Sequence, residues 1–350
     1  MKKINVAING FGRIGRAFLR ASASYPEINV VAINDLGDLE NLAYLFKYDT
    51  AYGISPFDIQ TKEGNLVVDG KEIKYLSSPK PEELPWKDLD VDVVVESTGF
   101  FTSFEKAKAH LDGGAKRVVI SAPAKPARTD QGGGDPLEGI ESATVLMGIN
   151  EDKLAVCQMT SNGSCTTNAS SPVISILDET IGIEKAILNT VHAYTASQSI
   201  VDGPNKKDWR EGRAGAQNII PTSTGAAIAV TKVLPNLVGK FDGIAMRVPV
   251  VAGSVADITF ISKRPTTVEE VNQILEKAAE DPRWDGVFTA TSEQIVSSDI
   301  IGAKYASIAD LSMTRVVDGN LVKVLAWYDN EMGYTNTLVS HVIKLGNKIL

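Results

Sequence analysis

Cys165 is one of two cysteines in the 350-residue chain, and it stands in the run SNGSCTTNAS. A free cysteine usually behaves as a small buried hydrophobe with apolar neighbours. Here Ser161, Asn162, Ser164, Thr166, Thr167 and Asn168 surround it with hydroxyls and amides. The Asn-Gly-Ser segment before it reads as a helix cap, which predicts that Cys165 sits in the first turn of a helix. The unpaired amides there favour thiolate over thiol. His192, one of three histidines, ends the strand-like stretch NTVHAYT that follows. This Cys-helix-strand-His order can supply a nucleophile and its acid/base partner. The same spacing fits an unrelated buried thiol and imidazole equally well. His110, in a charged helix, and His341, in the C-terminal helix, read as surface or packing residues without a supporting neighbourhood.

A second chemistry is anion binding. NGFGRIGR places Gly10, Gly12 and Gly15 at a strand-to-helix junction, with Asp35 closing the next strand about 20 residues on, where a dinucleotide's ribose meets an acid. The glycines permit a tight turn and close approach of a pyrophosphate to a helix N-terminus. A carboxylate at position 35 favours NAD over NADP, whose 2'-phosphate it would repel. Arg16-Ala17 stands where a P-loop needs Lys followed by Ser or Thr. In PTSTGAA, Thr222, Ser223, Thr224 and Gly225 precede an Ala-rich helix, as a phosphate site or a simple cap. Arg247, in the apolar MRVP, calls for a bound anion or an ordinary salt bridge.

These residues need a scaffold. INVAI (4–8), RIGRAFLRASAS (13–24) and INVVAIN (28–34) read as a βαβ unit. NLVVDG and KEIKYL follow as a hairpin, then strands over 91–98 and 116–121 flank a helix, which predicts a doubly wound, mostly parallel sheet. The segment 123–142, rich in Gly, Pro and charge, reads as an exposed loop. After a helix over 165–180, β-rich runs in succession predict a mixed or antiparallel sheet. The last helix-like segment, 335–350, can return to the first domain. A net charge of −8 gives no general reason to bind nucleic acid. No apolar stretch approaches the ~18 to 20 residues of a membrane span, and the N-terminus reads as a strand. The cysteines lack zinc-site spacing, so no metal is expected, and two thiols suit a reducing, cytoplasmic setting.

NGFGRIGR, SNGSCTTN, HAYT, NIIPTSTGAA, RVP and WYDNEMGY, in this order, closely resemble the phosphorylating glyceraldehyde-3-phosphate dehydrogenases. The resemblance implies an α/β protein: an N-terminal Rossmann-type NAD-binding domain over 1–164, joined by the C-terminal helix 331–350, and an α+β catalytic domain over 165–330. It implies Cys165 as nucleophile and His192 as its activator, with Thr195 and Arg247 at the substrate phosphate. Ser164, Thr166, Thr224 and Gly225 would lie near the attacking phosphate. Arg13 and Ile14 would approach the pyrophosphate, Asp35 the adenosine ribose, and Thr98 and Ser121 the nicotinamide side. Asn330 would hold the carboxamide, with Tyr334 nearby. The implied partners are glyceraldehyde 3-phosphate, inorganic phosphate and further copies of the chain in a homotetramer, with the loop 196–218 reaching a neighbour.

The chain departs from the family's habits in four places. Ala169 replaces a second cysteine, VVAGS (250–254) a Thr-Pro-Asn-like segment, and Pro79 an adenine-side arginine; PARTDQGGGDPLEG looks inserted. Two other activities share this framework: an erythrose-4-phosphate dehydrogenase, which hydrolyses its thioester, and a non-catalytic binding or regulatory protein. A semialdehyde dehydrogenase would lack the Thr195–Arg247 pair.

Overall fold

Ile4–Asn9 is a run of buried apolar residues that ends on a buried asparagine, and it becomes the centre of a parallel sheet. The structure is a computed structural model that describes residues 3–125 and 137–349. Much of the segment read as an exposed loop, and of the apparent insertion, lies outside the described residues. The chain forms two compact units: Met1–Leu146 with Asn150–Gly163 and Leu338–Leu350, and Met147–Ile149 with Ser164–Thr337. The fold is α/β, with one large sheet in each unit and a two-stranded pair, Tyr48–Asp49 with Gly53–Ile54, in the first.

In the first unit the described strands run in the order Ser142–Thr144, Met159–Ser161, Arg117–Ile120, Val93–Glu96, Ile4–Asn9, Ile28–Asn34, Lys71–Leu76, Asn65–Val68 and Ile59–Lys62. Every pairing from Ser142–Thr144 to Lys71–Leu76 is parallel, and the last two strands join as antiparallel hairpins. Strand order reverses at Ile4–Asn9, so a crevice opens at the carboxyl ends of this strand and its neighbours. The helix Arg13–Ser22 buries Ala17, Phe18 and Leu19 on one face. The strand expected over 91–98 stops at Glu96, because the Glu96 carboxylate accepts from the Thr98 amide and turns the chain out of the sheet. The C-terminal segment buries Leu338, Val339, Val342 and Leu345, and a Cβ on Gly346 would stand 2.6 Å from Ile4 Cδ1.

The second unit holds a mixed sheet in the order Ile220–Ser223, Phe241–Val248, Ile183–Ala193, Ser254–Ser262, Leu321–Tyr328, Ser307–Val317 and Phe288–Thr291. Its central strands alternate: Ala256, Ile258 and Phe260 point inward, as do Val322, Val324 and Ala326. The helix Cys165–Thr180, buried along most of its length, packs near this inner face. Ser164 caps it by accepting from the Thr167 amide. The last helix starts at Met332, three residues before the start read from the pattern and one after the start the resemblance implied, because the Asp329 carboxylate accepts from the Glu331 and Met332 amides. No described helix is long and apolar enough to cross a membrane.

Candidate active site and cofactor crevice

The second unit brings Cys165, His192 and Arg247 together. Cys165 is the first residue of its helix, and Sγ lies 3.4 Å from His192 Nε2. His192 ends Ile183–Ala193, and the parallel register places it directly beside Arg247 on Phe241–Val248. Arg247 Nη1 reaches His192 Nδ1 at 2.6 Å and the Ala193 carbonyl at 3.2 Å, while its buried Nε has no partner. Among the described residues no carboxylate pairs with Arg247, so the salt-bridge reading fails and a half-buried guanidinium stands beside His192 without a counter-ion.

The electrostatics follow from burial and from this cation. His192 is pushed down to about 3, by burial first and by Arg247 second, so it rests as neutral imidazole. Burial also pushes the Cys165 thiol up, against the opposing pull of Arg247 and of the Thr166 hydroxyl and amide. Desolvation therefore opposes the thiolate that the helix terminus favours. The ring stands edge-on to Tyr328 at 5.9 Å, and Nδ1 also lies 2.7 Å from the Ala193 carbonyl, which it can bond only when Nδ1 carries the proton. Arg247 can only donate, so its contact puts the imidazole proton on Nε2; if the guanidinium turns to an anion, Nδ1–H can bond Ala193 and Nε2 is freed to accept.

The expected phosphate hydroxyls are engaged elsewhere. Ser164 is spent on its cap, and its Oγ lies 2.7 Å from Thr167 Oγ1. Thr166 is buried against the sheet, where its hydroxyl bonds the Tyr328 hydroxyl at 2.8 Å. Thr224 accepts from the Ala226 amide, and Gly225 is the N-cap of Ala226–Val233, so the cap reading describes this geometry. The Thr195 amide donates to Gln198, and its hydroxyl lies beside Ser197, with no bond to Arg247.

In the first unit a cavity of about 450 Å³ occupies the crevice, bordered by Gly10, Gly12, Asn34, Asp35, Pro79 and Thr98 among others. Gly10 has φ +96°, and a Cβ there would stand 2.6 Å from the Thr98 amide. On Gly15 it would meet the Gly10 carbonyl at 2.1 Å, whereas on Gly12 it would meet nothing within 4 Å. Two glycines thus serve packing, and Gly12 opens the backbone to a ligand, as a dinucleotide cradle requires. Asp35 accepts from the Phe11 and Gly37 amides, and each oxygen retains room for a ribose hydroxyl. Arg13 instead pairs with Asp49 at 2.6 Å and lies over Tyr52. Arg13, Ile14, Gly15 and Ser121 do not border the cavity. Asn330 and Tyr334, both nearly buried, belong to the second unit.

Two family models match the chain: the glyceraldehyde 3-phosphate dehydrogenase NAD-binding domain over residues 4–104, and the C-terminal domain of the same family over 164–330. The chain belongs to the glyceraldehyde 3-phosphate dehydrogenase family. Named glyceraldehyde-3-phosphate dehydrogenases of Streptomyces coelicolor and Mycobacterium avium are each 48% identical to it, over 99% of this chain and 99% of their own. One from Clostridium acetobutylicum is 47% identical over 95% of this chain and 96% of its own. The cofactor of this glyceraldehyde 3-phosphate dehydrogenase family member is NAD, in keeping with its glycine cradle and Asp35.

Several residues of this family member escaped the sequence reading. His110 is fully buried: the Trp86 indole donates to Nδ1, which leaves the proton on Nε2, 3.0 Å from the Glu96 carboxylate. Glu96 also accepts from Asn9 and from the amide and hydroxyl of Thr98, so Thr98 can donate to a cofactor only by releasing Glu96. His341 too is buried, between Asn162 Oδ1 and Thr160 Oγ1. Both histidines have a supporting neighbourhood, contrary to expectation, because the fold brings them partners from outside their own helices, Trp86 and Glu96 to His110 and Thr160 and Asn162 to His341. Tyr328 bridges the Thr166 and Thr190 hydroxyls. Strand alternation could have flagged Thr190, which shares a face with His192.

Proposed function

We infer that this chain is a phosphorylating, NAD-dependent glyceraldehyde-3-phosphate dehydrogenase, working in glycolysis or gluconeogenesis through a Cys165 thioester. The observation that carries the reading is the Cys165–His192 pair at 3.4 Å beside an Arg247 that lacks an anionic partner. A phosphorylated aldehyde meets both needs, since its phosphate would pair with Arg247, with Thr195 as a second contact. Pairing also relieves the charge that disfavours imidazolium, so His192 becomes a better base once substrate is bound.

Cys165 Sγ attacks the aldehyde carbon, and the thiol proton passes through His192 Nε2 to the carbonyl oxygen, giving a hemithioacetal. Bound NAD supplies the hydride acceptor. As the C–H bond breaks, His192 takes the hydroxyl proton and Cys165 is left as a thioester. Phosphate oxygen then attacks the thioester carbon, the C–S bond breaks, and Cys165 regains a proton from His192 as 1,3-bisphosphoglycerate leaves. Ser164, Thr166, Thr224 and Gly225 are proposed to receive that phosphate. Helix-terminal amides and rotated hydroxyls would supply the bonds, which requires Thr166 and Thr224 to leave their present partners.

On the cofactor side Gly10, Gly12, Gly15, Arg13 and Ile14 would form the pyrophosphate turn, Asp35 the ribose contact, and Thr98 and Ser121 the approach to the nicotinamide. Asn330 would hold the carboxamide, with Tyr334 behind it. The two units are read as cofactor and catalytic domains, and a cytoplasmic setting accords with free Cys157 and Cys165. A homotetramer is proposed because the outer face of the second sheet leaves Ile187 and Ile244 exposed on adjacent strands. The test is steady-state NADH formation from glyceraldehyde 3-phosphate and from erythrose 4-phosphate at varied inorganic phosphate. Saturable phosphate dependence with a preference for the triose is expected; phosphate-independent turnover of the tetrose would overturn the reading.

A further inference from the structure

Ser254 joins the peptide that carries His192 to the side chain of Asn330. The Ala193 amide donates to Ser254 Oγ at 3.1 Å, and Ser254 Oγ lies 3.0 Å from Asn330 Oδ1. An amide N–H can only donate, so Ser254 accepts there and must spend its own proton on Asn330. The Gly253 amide donates to the same Oδ1 at 3.2 Å. Gly253 is held with φ +91°, where a Cβ would stand 2.3 Å from the Ser297 carbonyl. With two donors on its oxygen, the Asn330 amide cannot flip, and no hydrogen bond among the described residues engages its Nδ2. The Asn330 backbone is pinned in turn by Asp329, whose carboxylate accepts from the Gly302, Glu331 and Met332 amides. Ser254 is 1% exposed, so water does not replace its hydroxyl.

We propose that Ser254 is a positioning residue that sets the direction of the Asn330 amide, so that Nδ2 presents donors to the cofactor carboxamide, while bracing the backbone under His192. The inference rests on the proposed role of Asn330. Ser254 touches neither substrate nor cofactor; it acts through the two groups that do.

A double-mutant cycle tests it, read as the dissociation constant for NAD in calorimetric titration of the substrate-free protein, which should move with KM for NAD, and as KM for the aldehyde. Ser254→Ala should raise KM for NAD about five- to ten-fold, the worth of one buried hydrogen bond, and leave KM for the aldehyde within about two-fold. Asn330→Ala should raise KM for NAD at least as much, and adding Ser254→Ala to it should raise it no further. If the two effects multiply, or Ser254→Ala changes nothing while Asn330→Ala does, the positioning role is wrong and the Asn330 reading survives. If Asn330→Ala leaves KM for NAD unchanged, both fail. Asn330→Asp is a second probe that does not depend on Ser254→Ala folding. It keeps the acceptor for Ser254 and Gly253 and replaces only the donor, so it should raise KM for NAD about as much as Asn330→Ala. A parental KM in Asn330→Asp would overturn the orientation proposed here.

Discussion

Replacing Asp35 by Ala removes the carboxylate that two backbone amides aim at the cofactor cavity. Loss of a hydrogen bond to a charged group is worth about 1.5 to 3 kcal/mol, so KM for NAD should rise by about ten-fold or more. Discrimination against NADP should fall with it, since the repelling charge is gone; kinetics with both cofactors check this. Tyr328→Phe takes the Tyr328 partner from the buried Thr166 and Thr190 hydroxyls, leaving Thr190 its long bond to the Val255 carbonyl at 3.4 Å, and should cost about 1 to 3 kcal/mol in urea unfolding. Residue identity carried much of this site. Cys165, His192 and Asp35 were legible because few residue types can do their chemistry and their spacing matched known elements. The rotational state of Thr166 and Thr224 was not, because a hydroxyl at a helix start serves a cap and a ligand with the same letters.

At the scale of elements, the βαβ opening and the helix from Cys165 could be read from period and capping. Their ends shifted where a side chain captured a backbone amide, as Glu96 does for Thr98 and Asp329 for Met332. Such captures depend on three-dimensional neighbours. The pairing of His192 with Arg247 was equally hidden, because register between strands far apart in sequence leaves no local signal. His341 gives this scale its own test. Burial holds it down to about 3, so between its ordinary 6.5 and that value the unfolded chain binds a proton that the folded one refuses. Stability is kept above pH 6.5 and falls as pH drops through this window, by up to about 1.4 kcal/mol per pH unit for this residue. His341→Gln should flatten that part of the pH–stability curve in denaturant titrations, whatever its effect at neutral pH.

A homotetramer, as proposed, needs a partner for the outer face of the second sheet. Ile187→Glu together with Ile244→Glu puts charge onto it while leaving the inward-facing core untouched. Light scattering after gel filtration should show the proposed homotetramer dissociating to smaller species; an unchanged mass would assign the interface elsewhere. Composition could never have located this face, since an exposed isoleucine is ordinary until its neighbours across the sheet are known.

In the proposed reaction Cys165 carries the acyl group and phosphate removes it. Rapid mixing of the enzyme with NAD and glyceraldehyde 3-phosphate in phosphate-free buffer reads this directly as NADH absorbance. A burst of about one NADH per subunit is expected, then a stall that added phosphate relieves, and no burst in Cys165→Ser. Sustained turnover without phosphate, or a burst that survives in Cys165→Ser, would contradict it.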